Sequence, residues 1–149
     1  MVILPDRNEL YAGDAGGIVR VIDLFTNTIV ANISLNASTR VDEMAYDPDT
    51  HTVIVTVPEI TPPKVSIINA DTRTVTGEIF FPNATMGLEQ PTFNSNSKTF
   101  YVSIPQASNL LGDGVAQLDI SRLAVTRFVP IPSCIPAGMV FGHGNNMFI

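Results

Sequence analysis

The sequence predicts an all-β fold made by repeating one four-stranded antiparallel unit, and three observations predict it. A strand-turn-strand stretch, Val19-Arg20-Val21-Ile22-Asp23-Leu24-Phe25-Thr26-Asn27-Thr28-Ile29-Val30, returns at Val65 to Thr76 and again at Ala116 to Thr126. The turn-entry residues of the three copies, Asp23, Asn69 and Asp119, lie 46 and 50 residues apart, close to the length of one four-stranded propeller blade. Helical patterning is nearly absent: no long window keeps apolar residues at i, i+3, i+4 and i+7, and 11 prolines are scattered along the chain. Together these describe a β-propeller of four-stranded antiparallel blades.

Taken in order, Val2 to Leu4 is the first strand of blade 1, closed by the bend Pro5-Asp6-Arg7-Asn8, whose proline and Asx residues favour a turn. Leu10 to Ala12, Ile18 to Ile22 and Thr28 to Leu35 complete that blade. Blade 2 runs through Val41 to Tyr46, Val53 to Val57, Val65 to Ile68 and Val75 to Phe81, with turns at Asp47-Pro48-Asp49-Thr50-His51 and at the proline-rich stretch Glu59 to Pro63. Blade 3 opens near Glu89 to Phe93 and continues with Phe100 to Ile104, Val115 to Ile120 and Val125 to Ile131. A fourth unit begins at Ala137 to Phe141, turns through Gly142 to Asn146 and ends in Met147-Phe148-Ile149.

A second alignment agrees with the first. Leu4, Tyr46, Phe93 and Phe141 stand 42, 47 and 48 residues apart in first strands; Tyr11, Ile54, Tyr101 and Phe148 stand 43, 47 and 47 apart in second strands. Large apolar residues at such positions are expected to fill the space between blades. Residues 1–149 therefore read as a single, partial propeller domain. Three blades and half a fourth fall short of the usual four to eight, so a fragment of a larger closed propeller is expected.

Composition narrows the function classes. With 45% hydrophobic and 15% charged residues the chain is built to fold. A net charge of −6, with Lys64 and Lys98 as its lysines and no basic stripe, argues against nucleic acid and anionic membrane surfaces as partners. No apolar run approaches the roughly 20 residues of a membrane span. The start, Met1-Val2-Ile3-Leu4-Pro5-Asp6, lacks the pattern of a signal peptide. Three sequons, at Asn32, Asn36 and Asn83, nevertheless suit a secreted surface, and extracellular localisation is the expectation. The single Cys134 allows no disulfide within this chain.

The repeated apolar-Asp strand end Val21-Ile22-Asp23, the turn Thr26-Asn27, the Tyr46-Asp47-Pro48 turn entry and the Tyr101-Val102-Ser103 strand resemble the YVTN-type β-propeller family. The longer strings Asp42-Glu43-Met44-Ala45-Tyr46-Asp47-Pro48 and Phe81 to Pro91 resemble a secreted, largely uncharacterised branch of it. The resemblance covers essentially the whole chain, and its motifs specify fold and not reaction.

Strand alternation puts the first-to-second and third-to-fourth strand turns on one face and the remaining connections on the other. The resemblance implies that this second face holds the site. It gathers the Asp14 loop, Asp42, Glu43, Glu59, Glu89, Gln90, Asn109, Asp113 and Cys134. Asp42, Glu43, Glu89 and Gln90 are the candidate ligand-binding residues at the channel mouth. Glu43 and Glu89, 46 residues apart at near-equivalent strand entries, are the candidate metal ligands; their oxygens suit a hard cation, with calcium the candidate cofactor.

Two functions follow: a scaffold or binding domain presenting these loops to a small-molecule or protein ligand, and a metal-assisted lactonase or esterase. His51 and His143 fall in turns on the opposite face, too far to act as a base with these acids, and are expected to be solvated. Cys134, with no histidine nearby to activate it, is expected to be a buried structural thiol or the partner of a cysteine elsewhere.

Overall fold

The structure, a computed structural model, describes residues 1–108 and 112–149. Three antiparallel four-stranded sheets follow one another in strict chain order. Blade 1 is β1 (Val2–Leu4), β2 (Glu9–Gly13), β3 (Ile18–Asp23) and β4 (Thr28–Ser34). Blade 2 is β5 (Met44–Asp47), β6 (Thr52–Val57), β7 (Lys64–Asn69) and β8 (Thr74–Phe80). Blade 3 is β9 (Pro91–Asn94), β10 (Thr99–Ile104), β11 (Gly114–Asp119) and β12 (Ala124–Pro130). β13 (Val140–Phe141) and β14 (Met147–Phe148) pair as a two-stranded fourth unit around a short 3-10 turn at His143–Asn145. The first strands β1, β5, β9 and β13 contact one another in succession, so the blades fan out from a common inner edge. This is a β-propeller arc of three blades and two strands.

The repeat extends to backbone detail. All three blades shift register between their third and fourth strands at the same place: Val21/Ile22, Ile67/Ile68 and Gln117/Leu118. The residue closing each first hairpin adopts the left-handed region, at Asn8, His51, Lys98 and, in the fourth unit, Asn145. Asn27, Arg73 and Leu123 do the same in the third-to-fourth strand turns. Asx side chains make these turns because their oxygen accepts nearby backbone N–H groups. Asp23 Oδ1 accepts from the amides of Phe25 and Thr26, Asn69 Oδ1 from that of Thr72, and Asp119 Oδ1 from that of Arg122.

Two apolar clusters fill the seams. Leu4, Tyr11, Val19, Val21 and Ile33 of blade 1 meet Val53, Val55, Val57 and Ile68 of blade 2. The opposite side of blade 2, with Ile54, Val65, Ile67 and Ile79, meets Phe100, Val102, Ile104 and Leu118 of blade 3. Successive strand residues therefore serve alternate seams, which is why the middle strands read as continuous apolar runs.

Three expectations need correction. Leu4 is not the counterpart of Tyr46. The hairpin registers pair Leu4 with Glu9, Asp47 with Thr52 and Asn94 with Thr99, so Ile3 is the residue equivalent to Tyr46 and Phe93. Blade 1 begins its turn on a leucine instead of an Asx residue, and Leu4 is buried while Ile3 is 57% exposed. Phe148 is also exposed, whereas Tyr101 does pack on Phe141, ring centroids 5.3 Å apart. The inner strands begin later than expected, at Met44 and Pro91, although ladder bonds continue back to Asp42 and Glu89.

Candidate functional site

Asp42 and Glu43 enter blade 2 by pairing with Thr56: the Asp42 amide donates to the Thr56 carbonyl and the Thr56 amide to the Glu43 carbonyl, both at 3.0 Å. Glu89 and Gln90 enter blade 3 by the same ladder on Ser103, at 3.0 and 3.2 Å. The ladder makes Asp42 the counterpart of Glu89, and Glu43 the counterpart of Gln90. Glu43 and Glu89 are thus one register position apart.

Glu43 is nevertheless the electrostatic centre of this cluster. Burial first, then the negative charges of Asp42 and Glu89, raise its carboxyl above the usual carboxylate range. Its Oε2 is buried with no hydrogen-bond partner among the described residues. Asp42 is held by Arg40, whose Nη2 lies 3.0 Å from Asp42 Oδ2 and whose Nε lies 3.3 Å from Glu59 Oε1. Gln90 bridges to the fourth unit, its amide donating to the Ala137 carbonyl and its Oε1 accepting from the Met139 amide, both at 3.2 Å.

The other residues expected on this face are engaged separately. Asp14 accepts from the amides of Gly16 and Ile18 and pairs with Arg20 at 2.8 Å. These contacts, the Gly16 bond foremost, hold its carboxyl below the usual range. The loop is tight enough to require glycine at position 17, where φ is +77° and a Cβ would strike the Ala37 carbonyl. Asp113 Oδ2 accepts from the Ile135 amide. Cys134 is exposed, so it is not a buried structural thiol. Asn109 lies outside the described residues.

A cleft of about 530 Å³ opens on this face between the β6–β7 loop of blade 2 and the segment that links β8 to β9. Arg40, Glu59, Thr61, Thr85, Met86 and Glu89 line it, with prolines from both loops in its walls. Sequence reasoning named Glu59 and Glu89 but not Arg40 or Met86; an arginine and an exposed methionine flanking acidic strand entries were the available signal. Two carboxylates and an arginine beside apolar walls can orient a polar ligand or a partner loop. Calcium takes six to eight oxygens, and among the described residues no three His, Cys, Asp or Glu side chains are grouped around one point.

The opposite face, where His51 and His143 are expected to be solvated, holds a second, denser network. Arg7 Nη1 donates to Asp71 Oδ1 at 2.5 Å, and Arg7 Nε and Arg73 Nη2 both reach the buried Glu9, at 3.3 and 2.6 Å. His51 Nδ1 lies 3.0 Å from Asp71 Oδ1, and Tyr46 Oη donates to Asp6 at 2.8 Å. His51 is thus half-buried and paired, whereas His143 is exposed as expected. On the loop side of the same seam, buried Lys64 donates to the Leu35 carbonyl at 2.7 Å and pairs with Glu78 at 2.5 Å.

This arrangement of blades defines a β-propeller domain. Similar solved structures include two propeller-bearing proteins. One is Kuenenia stuttgartiensis hydrazine synthase, with a TM-score of 0.73 and 17% identity over 91% of this chain and 37% of that one. The other is the β-propeller domain of Myceliophteria thermophila Cps50 (Swd1), with a TM-score of 0.57 and 14% identity over 78% of this chain and 33% of that one. At such identities the likeness concerns fold. The chain spans about a third of either. No protein-family model and no curated protein matches it.

Proposed function

We propose that the chain acts as a β-propeller binding domain whose second face, built on the Asp42/Glu43 and Glu89/Gln90 entries, receives a small ligand or a protein partner. The observation that carries this reading is the cleft between the β6–β7 loop and the β8–β9 link, where Arg40, Glu59 and Glu89 converge beside the exposed Met86. Arg40, already bridging Asp42 and Glu59, fixes the charge pattern that a partner meets. YVTN-type membership and an extracellular setting belong to the same proposal; the side chains of Asn32, Asn36 and Asn83 are exposed, as glycan acceptors must be.

A photo-crosslinker placed at Met86 tests the reading against one placed at Phe25, which is exposed on the opposite face. Adducts from native extracellular medium at Met86, lost on Arg40→Glu, are expected. Adducts at Phe25 alone, or at Met86 unchanged by Arg40→Glu, overturn it.

A second reading, a metal-assisted hydrolase of lactone or ester type, is favoured by one observation: the unpartnered, charge-crowded carboxylate of Glu43. Its test is the response of Glu43→Gln to calcium.

A further inference from the structure

The two complete seams differ at one place, and the difference opens a pocket. Strand register aligns Arg7 with Thr50, Glu9 with Thr52 and His51 with Lys98 across the first hairpins, and Asp71 with Ser121 and Arg73 with Leu123 across the third-to-fourth strand turns. At the blade 1–2 seam the long members of this set fill the space with the Arg7–Asp71, Arg7–Glu9 and Arg73–Glu9 pairs. At the blade 2–3 seam their short counterparts turn inward on their own turns: Thr50 Oγ1 donates to Asp47 at 2.7 Å and Ser121 Oγ to Asp119 at 2.7 Å. Leu123 lies instead over Gly77, where a Cβ would meet its Cδ2 at 2.5 Å. What remains is a cleft of about 660 Å³.

We infer that this seam cleft is a binding site for a neutral polyhydroxylated ligand, a sugar ring or short neutral oligosaccharide. The chemistry of the lining selects it. Hydroxyls come from Thr50, Thr52, Thr99, Ser121 and Thr126, and an amide from Gln117. Carboxylates come from Asp47 and Asp119. Each carboxylate oxygen has two lone pairs, so those spent on Thr50, the Asp49 amide, Ser121 and Arg122 leave acceptor capacity for ligand hydroxyls. Phe100 and Leu118 close the bottom of the cleft beneath the polar rim, each 3% exposed. Lys98, the lining cation, pairs across the seam with Asp49. Arg122 Nη1 pairs with Asp119 Oδ2 at 2.7 Å, which leaves Asp47 as the lining carboxylate with no cation partner among the described residues, and its charge disfavours an anionic ligand. The site lies on the face opposite the acidic loop cleft and is independent of the reading proposed for it.

The test is an amide-resolved NMR titration of the ¹⁵N-labelled chain with glucose, cellobiose, N-acetylglucosamine and, as the anionic counterpart, glucuronate. A neutral sugar is expected to shift the amides of Thr50, Thr52, Thr99 and Ser121, with glucuronate at least tenfold weaker. The double variant Thr50→Arg/Ser121→Asp recreates the Arg7–Asp71 pair of the first seam, and it should keep a folded spectrum and lose the response. If that variant does not fold, Ser121→Arg, at an exposed position, blocks the cleft instead. No response to any neutral sugar, a response centred on other residues, equal binding of glucuronate, or binding that survives the blocked cleft overturns the inference.

Discussion

Arg73 Nη2 lies 2.6 Å from Glu9 Oε1 across the seam between blades 1 and 2, and Glu9 is 5% exposed. A carboxylate so buried is tolerated only while cations reach it, so this seam is latched by charge as well as by the Leu4, Tyr11 and Val55 packing beneath it.

Replacing Arg73 by leucine, the residue that blade 3 carries at the equivalent Leu123 with nearly the same φ, removes one of the two cations on Glu9 without new backbone strain. Arg7 remains, 3.3 Å from Oε2. A loss of about 2 kcal/mol in urea unfolding is expected, within the range for stranding a buried polar group. Lys98→Ala, which breaks the exposed Lys98–Asp49 pair, should cost under about 0.5 kcal/mol. Equal losses in the two variants would show that the latch is no stronger than a surface pair.

The acid limb of stability should carry the signature of Asp71. Its hydrogen bond with His51 foremost, then the bond to Arg7, holds its folded-state carboxyl below the usual range. A depressed carboxylate contributes stability that is present above the unfolded-chain value of about 3.9 and is lost as pH falls through the folded value. The gap in urea midpoint between the native chain and Asp71→Asn should therefore be full above pH 5 or so and close below that unfolded value. A gap independent of pH would mean that the amide loses only packing.

On the alkaline side Tyr11 is the reporter. Burial first, then the nearby Glu9 charge, push its phenol up to about 12. Because the folded value lies above the unfolded one of about 10, the stabilising contribution is complete below pH 10 and fades as pH rises toward 12. Tyr11→Phe should flatten that part of the stability profile while leaving neutral stability nearly unchanged, since Tyr11 Oη reaches the Ala70 carbonyl only at 3.5 Å. An unaltered alkaline slope, followed by denaturant midpoint, would assign the loss to other groups.

How much of this was legible in the sequence depends on the range of the interaction. Asp23, Asn69 and Asp119 could be read as turn-makers because their bonds close within three residues. Blade 1 escaped exact phasing because its first turn starts at Leu4, which lacks the Asx signal present at Asp47 and Asn94. The Arg7–Asp71 and Arg73–Glu9 pairs join residues 64 apart, and no local pattern announces them. For the loop face, the acids could be listed but their one-residue offset could not, since the ladder on Thr56 and Ser103 decides it.

The three sequons offer a separate check on the extracellular proposal. Asn32 sits on the outermost strand of blade 1, Asn36 just beyond it and Asn83 in the loop after β8, all with exposed side chains. Expressed through a eukaryotic secretory pathway, the chain should gain mass that an N-glycosidase removes and that Asn32→Gln/Asn36→Gln/Asn83→Gln abolishes. Efficient secretion with no added glycan on any of the three would remove the sequon argument.

Glu43 separates the two readings of the loop face. With its charge disfavoured by burial and by Asp42 and Glu89, its folded-state value is raised, so the penalty is absent below the unfolded value of about 4.3 and grows as pH rises through the folded one. Glu43→Gln should therefore melt higher than the native chain at pH 7 and equal it near pH 3. In a cation site the order reverses when calcium is added: the native chain gains melting temperature with ligand concentration, as binding to the folded state requires, and the glutamine variant does not. Calcium-insensitive melting in both chains, with the neutral-pH gain intact, would leave Glu43 a charge-strained residue of the binding face and end the hydrolase reading.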